Sequence, residues 1–151
     1  MAKIISLQEV KKIPNLVLVG GCFDLLHPGH LRFFRAAKKK GERLVILLES
    51  DLKAKKLKGN SRPIFNQKER AEMLASLEIV DYVIFLPYLK NDLEYDNLIR
   101  QIKPAVIAAT GNDPLLTRKK NQAENFGAVL RIIPFFKNYS SSKLAKILGL
   151  D

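Results

Sequence analysis

Five short apolar runs punctuate the chain, at 16–19, 44–48, 80–86, 105–109 and 128–133, most of them bounded by Gly, Pro or an acidic residue. Hydrophobicity that is continuous over so few residues is the pattern of strands buried on both faces. Helical periods fill the gaps. Residues 31–40 follow the first run. Residues 67–77 set Ala71, Leu74, Ala75 and Leu77 on one side, and 93–102 do the same with Leu98, Ile99 and Ile102 before stopping ahead of Pro104. Residues 115–126 stop at Gly127, a C-cap position, and 142–148 stop at Gly149. Strand and helix therefore alternate five times. That order predicts an α/β domain over residues 1–151, with a five-stranded parallel sheet, right-handed crossovers and helices on both faces. No repeat, low-complexity tract or linker divides it. Ligands of such sheets sit beyond the carboxyl ends of the strands, where the strand order reverses beside the first strand.

Composition narrows the classes. With 47% hydrophobic residues the chain can bury one sizeable core, and no apolar run approaches the roughly 20 residues of a membrane span. Residues 1–6 are too short and too soon charged for a signal peptide. The single Cys22 excludes an internal disulfide and a cysteine-based zinc cage. A cytoplasmic location is the default expectation. The net charge of +11, from 26 basic and 15 acidic side chains, fits either nucleic acid or a small anionic substrate beside a basic surface. The basic residues are spread over the whole chain without an RRM, KH or zinc-finger pattern, so nucleic acid is the lesser expectation.

Candidate chemistry concentrates after the first apolar run, in Gly20-Gly21-Cys22-Phe23-Asp24-Leu25-Leu26-His27-Pro28-Gly29-His30. A Gly-rich turn between strand and helix lets backbone N–H groups approach an anion, and the helix N-terminus adds a positive dipole. His27 and His30 lie about one helical turn apart. Taken alone they are equally a capped helix start with solvated imidazoles; beside an anion site they point to phosphoryl chemistry. Cys22 has no partners that would make it a nucleophile and reads as a small residue in a tight turn.

This segment resembles the signature G-x-F-D-x-x-H-x-G-H of the cytidylyltransferase-like nucleotidyltransferases, and later segments match in order over nearly the whole chain. The resemblance implies a Rossmann-like domain that moves a nucleotidyl group from an NTP to a small phosphorylated acceptor and releases pyrophosphate. It implies that His27 and His30 contact the triphosphate, that Gly21, Cys22, Phe23 and Gly29 line the nucleotide site, and that Asp24 organises the turn. In Asp51 to Ile64, many lysines after the second strand read as a flexible cationic lid or as a solvated charge run. Leu57-Lys58-Gly59-Asn60-Ser61-Arg62-Pro63 is similar to the K-G-x-x-R-P segment of the heptose phosphate adenylyltransferase branch, which makes Lys56 and Lys58 the candidates for acceptor or triphosphate contact. Arg70 either reaches the site or pairs with Glu69, Glu72 or Asp81, and Asp81 reads as structural.

Residues 103–113 resemble the family strand that ends in G-x-D, which places Gly111 and Asp113 near the nucleotide; Asp113 reads equally as an Asx-type turn before a helix. Ala109-Thr110 stands where the heptose branch has Lys-Gly, and Pro114 replaces an aromatic. Ser140, Ser141 and Ser142 correspond to the second family signature, a helix start that binds the β- and γ-phosphates, with Lys137 as the only substitute for an upstream arginine. Magnesium is expected as the NTP complex, with no dedicated carboxylate cage. By resemblance ATP with a sugar phosphate leads, glycerol phosphate with CTP is second, and an archaeal-type FMN adenylyltransferase third. Family members are often homodimers. A non-catalytic nucleotide- or RNA-binding module is the alternative of another class.

Overall fold

The computed structural model describes residues 3–136 and 140–150. Its centre is a single all-parallel sheet of β1 (Leu16–Gly21), β2 (Arg43–Leu48), β3 (Tyr82–Phe85), β4 (Val106–Thr110) and β5 (Val129–Ile133), in the spatial order β3-β2-β1-β4-β5. The helices are α1 (Leu7–Val10), α2 (Pro28–Lys38), α3 (Asp51–Lys58), α4 (Gln67–Ala75), α5 (Asp92–Ile102), α6 (Leu116–Phe126) and α7 (Ser141–Ile147).

Successive side chains of a strand point to opposite faces, so the apolar runs feed two cores. Val17, Val19, Leu44, Ile46, Leu48 and Val83 pack on one face with Phe34 and Ala37 of α2 and with Ala71 and Leu74 of α4. Leu16, Leu18, Val45, Leu47 and Ile84 pack on the other with Ile99 and Ile102 of α5 and Ala123 of α6. The expectation of strands buried on both faces holds for β1, β2 and β4 and fails for β5. There only Ile133 is buried, and Val129 and Ile132 are about half exposed. β5 is one of the two edge strands; β3, at the other edge, keeps Val83 and Ile84 buried.

The helix stops fall where the sequence sets them. Lys103, with φ +54°, ends α5 before Pro104, and Gly127, with φ +77°, ends α6. Two elements depart from the reading. The lysine-rich stretch after β2 is not a flexible loop but helix α3. Ser50 caps it by accepting from the Lys53 N–H at 3.1 Å, Asp51 sits in its first turn, and Lys55, Lys56 and Lys58 sit in its last. These charges complement the helix dipole. Two helices therefore separate β2 from β3. The chain start adds α1, closed by a reciprocal Ser6–Glu9 capping box, and Ile4 bridges Val83 so that the lead-in lies along the β3 edge.

Strand order reverses at β1, which hydrogen-bonds β2 on one side and β4 on the other. The carboxyl ends of β1 and β4 thus open the crevice expected of this topology.

Candidate nucleotide site

A cavity of about 380 Å³ occupies that crevice. Gly20 and Ala108 to Thr110 form its floor at the ends of β1 and β4. Phe23, His27, Gly29, His30 and Phe33 come from the signature turn and α2, and Lys58 from the end of α3. Asn112, Asp113, Pro114 and Lys119 come from the β4–α6 side, and Phe135, Phe136, Ser140 and Ser141 close the remaining wall.

The two histidines are a built pair. Their rings stack at 3.7 Å between centroids, and the His27 backbone N–H donates to His30 Nδ1 at 3.2 Å. With Nδ1 accepting, the neutral His30 ring carries its proton on Nε2, which leaves that N–H as its donor. Burial pushes the His30 pKa down to about 3, with the charges of His27 and Lys58 adding to it, and burial also lowers that of His27. In the absence of nucleotide the pair is therefore neutral at physiological pH. In the unfolded chain the His30 ring titrates near its ordinary 6.5. Between the two values the unfolded state holds the extra proton, so stability falls as pH drops from about 6.5 towards 3, at up to about 1.4 kcal/mol per pH unit. His30→Asn should remove this part of the acid slope, read as urea midpoints of nucleotide-free protein at pH 7 and 4.5. Equal slopes in both proteins would contradict the burial assignment.

The glycine of the signature has a steric cause. A Cβ at Gly21 would meet the Phe23 ring at 2.9 Å. That ring is held by a left-handed backbone, φ +46°, and packs edge-on against His30 at 5.6 Å and Phe34 at 5.1 Å. Gly21, Phe23 and His30 are one interlocked unit, with Gly21 making room rather than lining the cavity.

Asp24 organises more than its own turn. It is buried, and its carboxylate accepts from Arg62 Nε at 2.7 Å and from the Ile64 and Phe65 N–H groups at 2.7 and 3.0 Å. Burial pushes its pKa up, but these donors outweigh burial and hold it below the usual carboxylate range. The incoming segment 62–65 is thereby pinned to the signature turn.

Arg70 corrects both readings made of it. It is fully buried, does not line the cavity, and does not pair with Glu69, Glu72 or Asp81. Its guanidinium donates to the Cys22 carbonyl at 2.6 Å, the Phe65 carbonyl at 2.9 Å and Asp51 Oδ1 at 2.8 Å, tying the signature turn to the starts of α3 and α4. Glu69 closes the capping box of Asn66, and Asp81 accepts from Lys38 and from the Leu44 N–H at 2.7 Å.

The two candidate lysines stand in different places. Lys58 lines the cavity, whereas Lys56 is exposed and donates to the Tyr88 hydroxyl at 2.9 Å. Asp113 lines the cavity, accepts from the Leu115 N–H at 2.8 Å as an Asx-type turn and pairs with Lys119 at 2.5 Å. Ser140 and Ser141 line the cavity; Ser140 also caps α7 by accepting from the Lys143 N–H at 3.3 Å. Gly111, Cys22 and Ser142 do not line it. Burial raises the Cys22 thiol pKa, which keeps it protonated. Lys137 lies outside the described residues. The sequence reading missed Lys119, Asn112, Phe33 and the pair Phe135 and Phe136; the basic run 118–120 was the only signal for Lys119.

Among the described residues no group of three or more His, Cys, Asp or Glu side chains is arranged to hold a metal ion. His27, His30, Lys58 and Lys119 offer nitrogen donors that suit phosphate oxygens, and Asp113, the one carboxylate among the described lining residues, is paired with Lys119, so these residues suit an ion carried by the nucleotide.

A family model described as cytidylyltransferase-like matches residues 18–146. This chain belongs to the cytidylyltransferase-like family. Membership makes it a nucleotidyltransferase and agrees with the signature turn at the cavity. Among curated relatives, the bifunctional protein HldE of Campylobacter fetus subsp. fetus (strain 82-40) is 39% identical over 97% of this chain and 32% of its own length. That of Helicobacter pylori (strain G27) is 39% identical over 86% of this chain and 27% of its own length. The chain thus spans about a third or less of these relatives. The crystal structure of a lipopolysaccharide core biosynthesis protein from Thermoplasma volcanium GSS1 shares the fold, with TM-score 0.64 and 24% identity over 83% of this chain and 98% of that one. No described helix is long and apolar enough to cross a membrane.

Proposed function

We propose that this chain transfers the nucleotidyl group of a magnesium–NTP complex, ATP first, to the phosphate of a sugar phosphate and releases pyrophosphate. The observation that carries the reading is the stacked His27–His30 pair at the head of α2, with Lys58 and Lys119 in the same cavity. An acceptor phosphate oxygen attacks the α-phosphorus in line, and the bond from that phosphorus to the bridging oxygen of the β-phosphate breaks. Charge grows on the equatorial α-phosphate oxygens and on the leaving pyrophosphate, so preorganised donors, not a covalent nucleophile, are what the step requires.

In this reading His30 donates through Nε2–H to the phosphate undergoing transfer, with its tautomer set by the His27 N–H. Lys58 neutralises charge on the triphosphate, Lys119 stands beside it paired with Asp113, and Ser140 and Ser141 face its far end. A magnesium ion carried by the nucleotide would screen its phosphate charge. Phe23, Phe33, Phe135 and Phe136 supply the apolar walls that exclude water. The sugar phosphate acceptor follows from the Lys58-Gly59 and Arg62-Pro63 segment, supported by relatives named HldE.

Calorimetric titration with Mg·ATP tests the site. Lys58→Ala should weaken binding about tenfold or more, as loss of a charge-assisted contact worth roughly 1.5–3 kcal/mol, while Lys56→Ala should stay within about twofold of the parent. Equal effects of the two substitutions would remove Lys58 from the triphosphate.

A further inference from the structure

A second cluster of charged and aromatic groups lies across the signature turn from the nucleotide cavity, and none of its members lines that cavity. Glu49 directly follows β2, and its N–H donates to the Gly21 carbonyl at 3.0 Å, so it stands beside the turn that carries the histidines. The residue is only 8% exposed. Its two carboxylate oxygens accept from one donor, the Tyr95 hydroxyl, at 2.9 and 3.1 Å, and among the described residues it makes no ion pair. Buried carboxylates are ordinarily paired because burial of an unpaired charge is costly.

Cations stand around it without touching it. Lys53 lies over the Tyr88 and Tyr95 rings at 4.8 and 5.4 Å, and the Arg118 guanidinium lies over Tyr95 at 4.7 Å. Arg118 reaches Asp92 through Nη1 at 2.7 Å, and its buried Nε has no hydrogen-bond partner among the described residues. The neighbouring residue on α6, Lys119, lines the nucleotide cavity, so one helix serves both clusters.

We propose that Glu49, Tyr95, Lys53 and Arg118 form the acceptor subsite, and that its ligand is a polyhydroxylated phosphate ester. Lys53 and Arg118 supply positive charge for the acceptor phosphate. Glu49, oriented by Tyr95, retains lone pairs that accept hydrogen bonds from sugar hydroxyls. A carboxylate held ready for hydroxyl donors makes the subsite selective, because an analogue lacking the hydroxyl leaves the buried oxygens unpaired. Tyr95 is a positioning residue and Glu49 a specificity-determining one. The bond from the Glu49 N–H to the Gly21 carbonyl ties the subsite to the turn that carries the histidine pair, and the assignment rests on the nucleotidyl-transfer reading above.

The test is calorimetric titration of the full chain with sugar 1-phosphates, glycerol 3-phosphate and phosphoethanolamine, in the presence of Mg²⁺ and α,β-methylene-ATP, which occupies the nucleotide site without reacting. At least one sugar phosphate should bind. Glu49→Gln should weaken it about tenfold or more and erase the preference for it over its deoxy analogue, and Lys53→Met should weaken it comparably. Binding of the ATP analogue should stay within about twofold in both variants, which a general loss of structure would not allow. Unchanged sugar phosphate affinity in Glu49→Gln overturns the subsite, as does a preference for phosphoethanolamine that Glu49→Gln abolishes, which would make the carboxylate an ammonium partner. Binding of the ATP analogue with no sugar phosphate binding also overturns it and leaves the nucleotide site standing. Absence of ATP-analogue binding overturns the nucleotidyl-transfer reading itself.

Discussion

Replacing His30 by alanine should lower turnover about 10²–10³-fold with modest change in KM, the size expected when one preorganised donor to a developing phosphate charge is lost. The expectation follows from the geometry. The His30 ring is half-buried among His27, Phe23 and Phe34, and its Nδ1 is already engaged by the His27 N–H, so Nε2–H is its one remaining donor. Two readouts separate chemistry from packing. His30→Asn offers an alternative acceptor for the His27 N–H and so spares the start of α2, yet it should still lose most of the turnover. Pyrophosphate release measured in both variants, beside their urea midpoints, gives the comparison. Turnover within threefold of the parent in His30→Asn would remove the imidazole from the mechanism.

Replacing Asp24 should have the largest effect on stability. Both Asp24 and Arg62 have side chains about 1% exposed. In Asp24→Ala the Arg62 guanidinium keeps its charge in the interior without its carboxylate, and the Ile64 and Phe65 N–H groups lose their acceptor. Breaking one partner of a buried ion pair costs about 3–5 kcal/mol, a large share of the 5–15 kcal/mol that holds a typical domain together. Urea denaturation should show a loss of that order. The double replacement Asp24→Leu with Arg62→Met should recover part of it, because the uncompensated charge is then gone. A single-variant loss below about 1 kcal/mol would mean that water reaches Arg62 and that the segment 62–65 is not pinned in the way described.

Much of this molecule is legible in its sequence because the signals are local and redundant. Five apolar runs became five parallel strands, and Pro104 and Gly127 ended their helices where chain stereochemistry requires. The signature turn arrived at the switch point because the topology leaves no other place for the loop after β1. What was not legible depends on long-range partners. Whether Arg70 points into the site or into the core is decided by the Cys22 and Phe65 carbonyls and by Asp51, residues near and far in sequence with no common pattern. The lysines of α3 read as a solvated run until the Ser50 cap and the buried Ala54 are seen to make a helix of them, and only then does Lys58, at the last turn, separate from Lys56. Phe135 and Phe136 carry no periodicity, and Lys119 sits among other basic residues; both reach the cavity through the way α6 and the segment after β5 pack, which pairwise spacing does not encode. Glu49 escaped notice for the same reason, as a single acidic residue after a strand.

The most direct test of the central claim is pyrophosphate release with Mg²⁺ and each of ATP, CTP, GTP and UTP against a panel of heptose, glycerol, ethanolamine and flavin phosphates. Release should occur with ATP and a sugar phosphate, depend on both, and fall about 10²–10³-fold in His30→Ala. Absence of release from every pairing, together with no calorimetric binding of any NTP and salt-sensitive binding of RNA, would contradict nucleotidyl transfer and assign the basic surface the leading role.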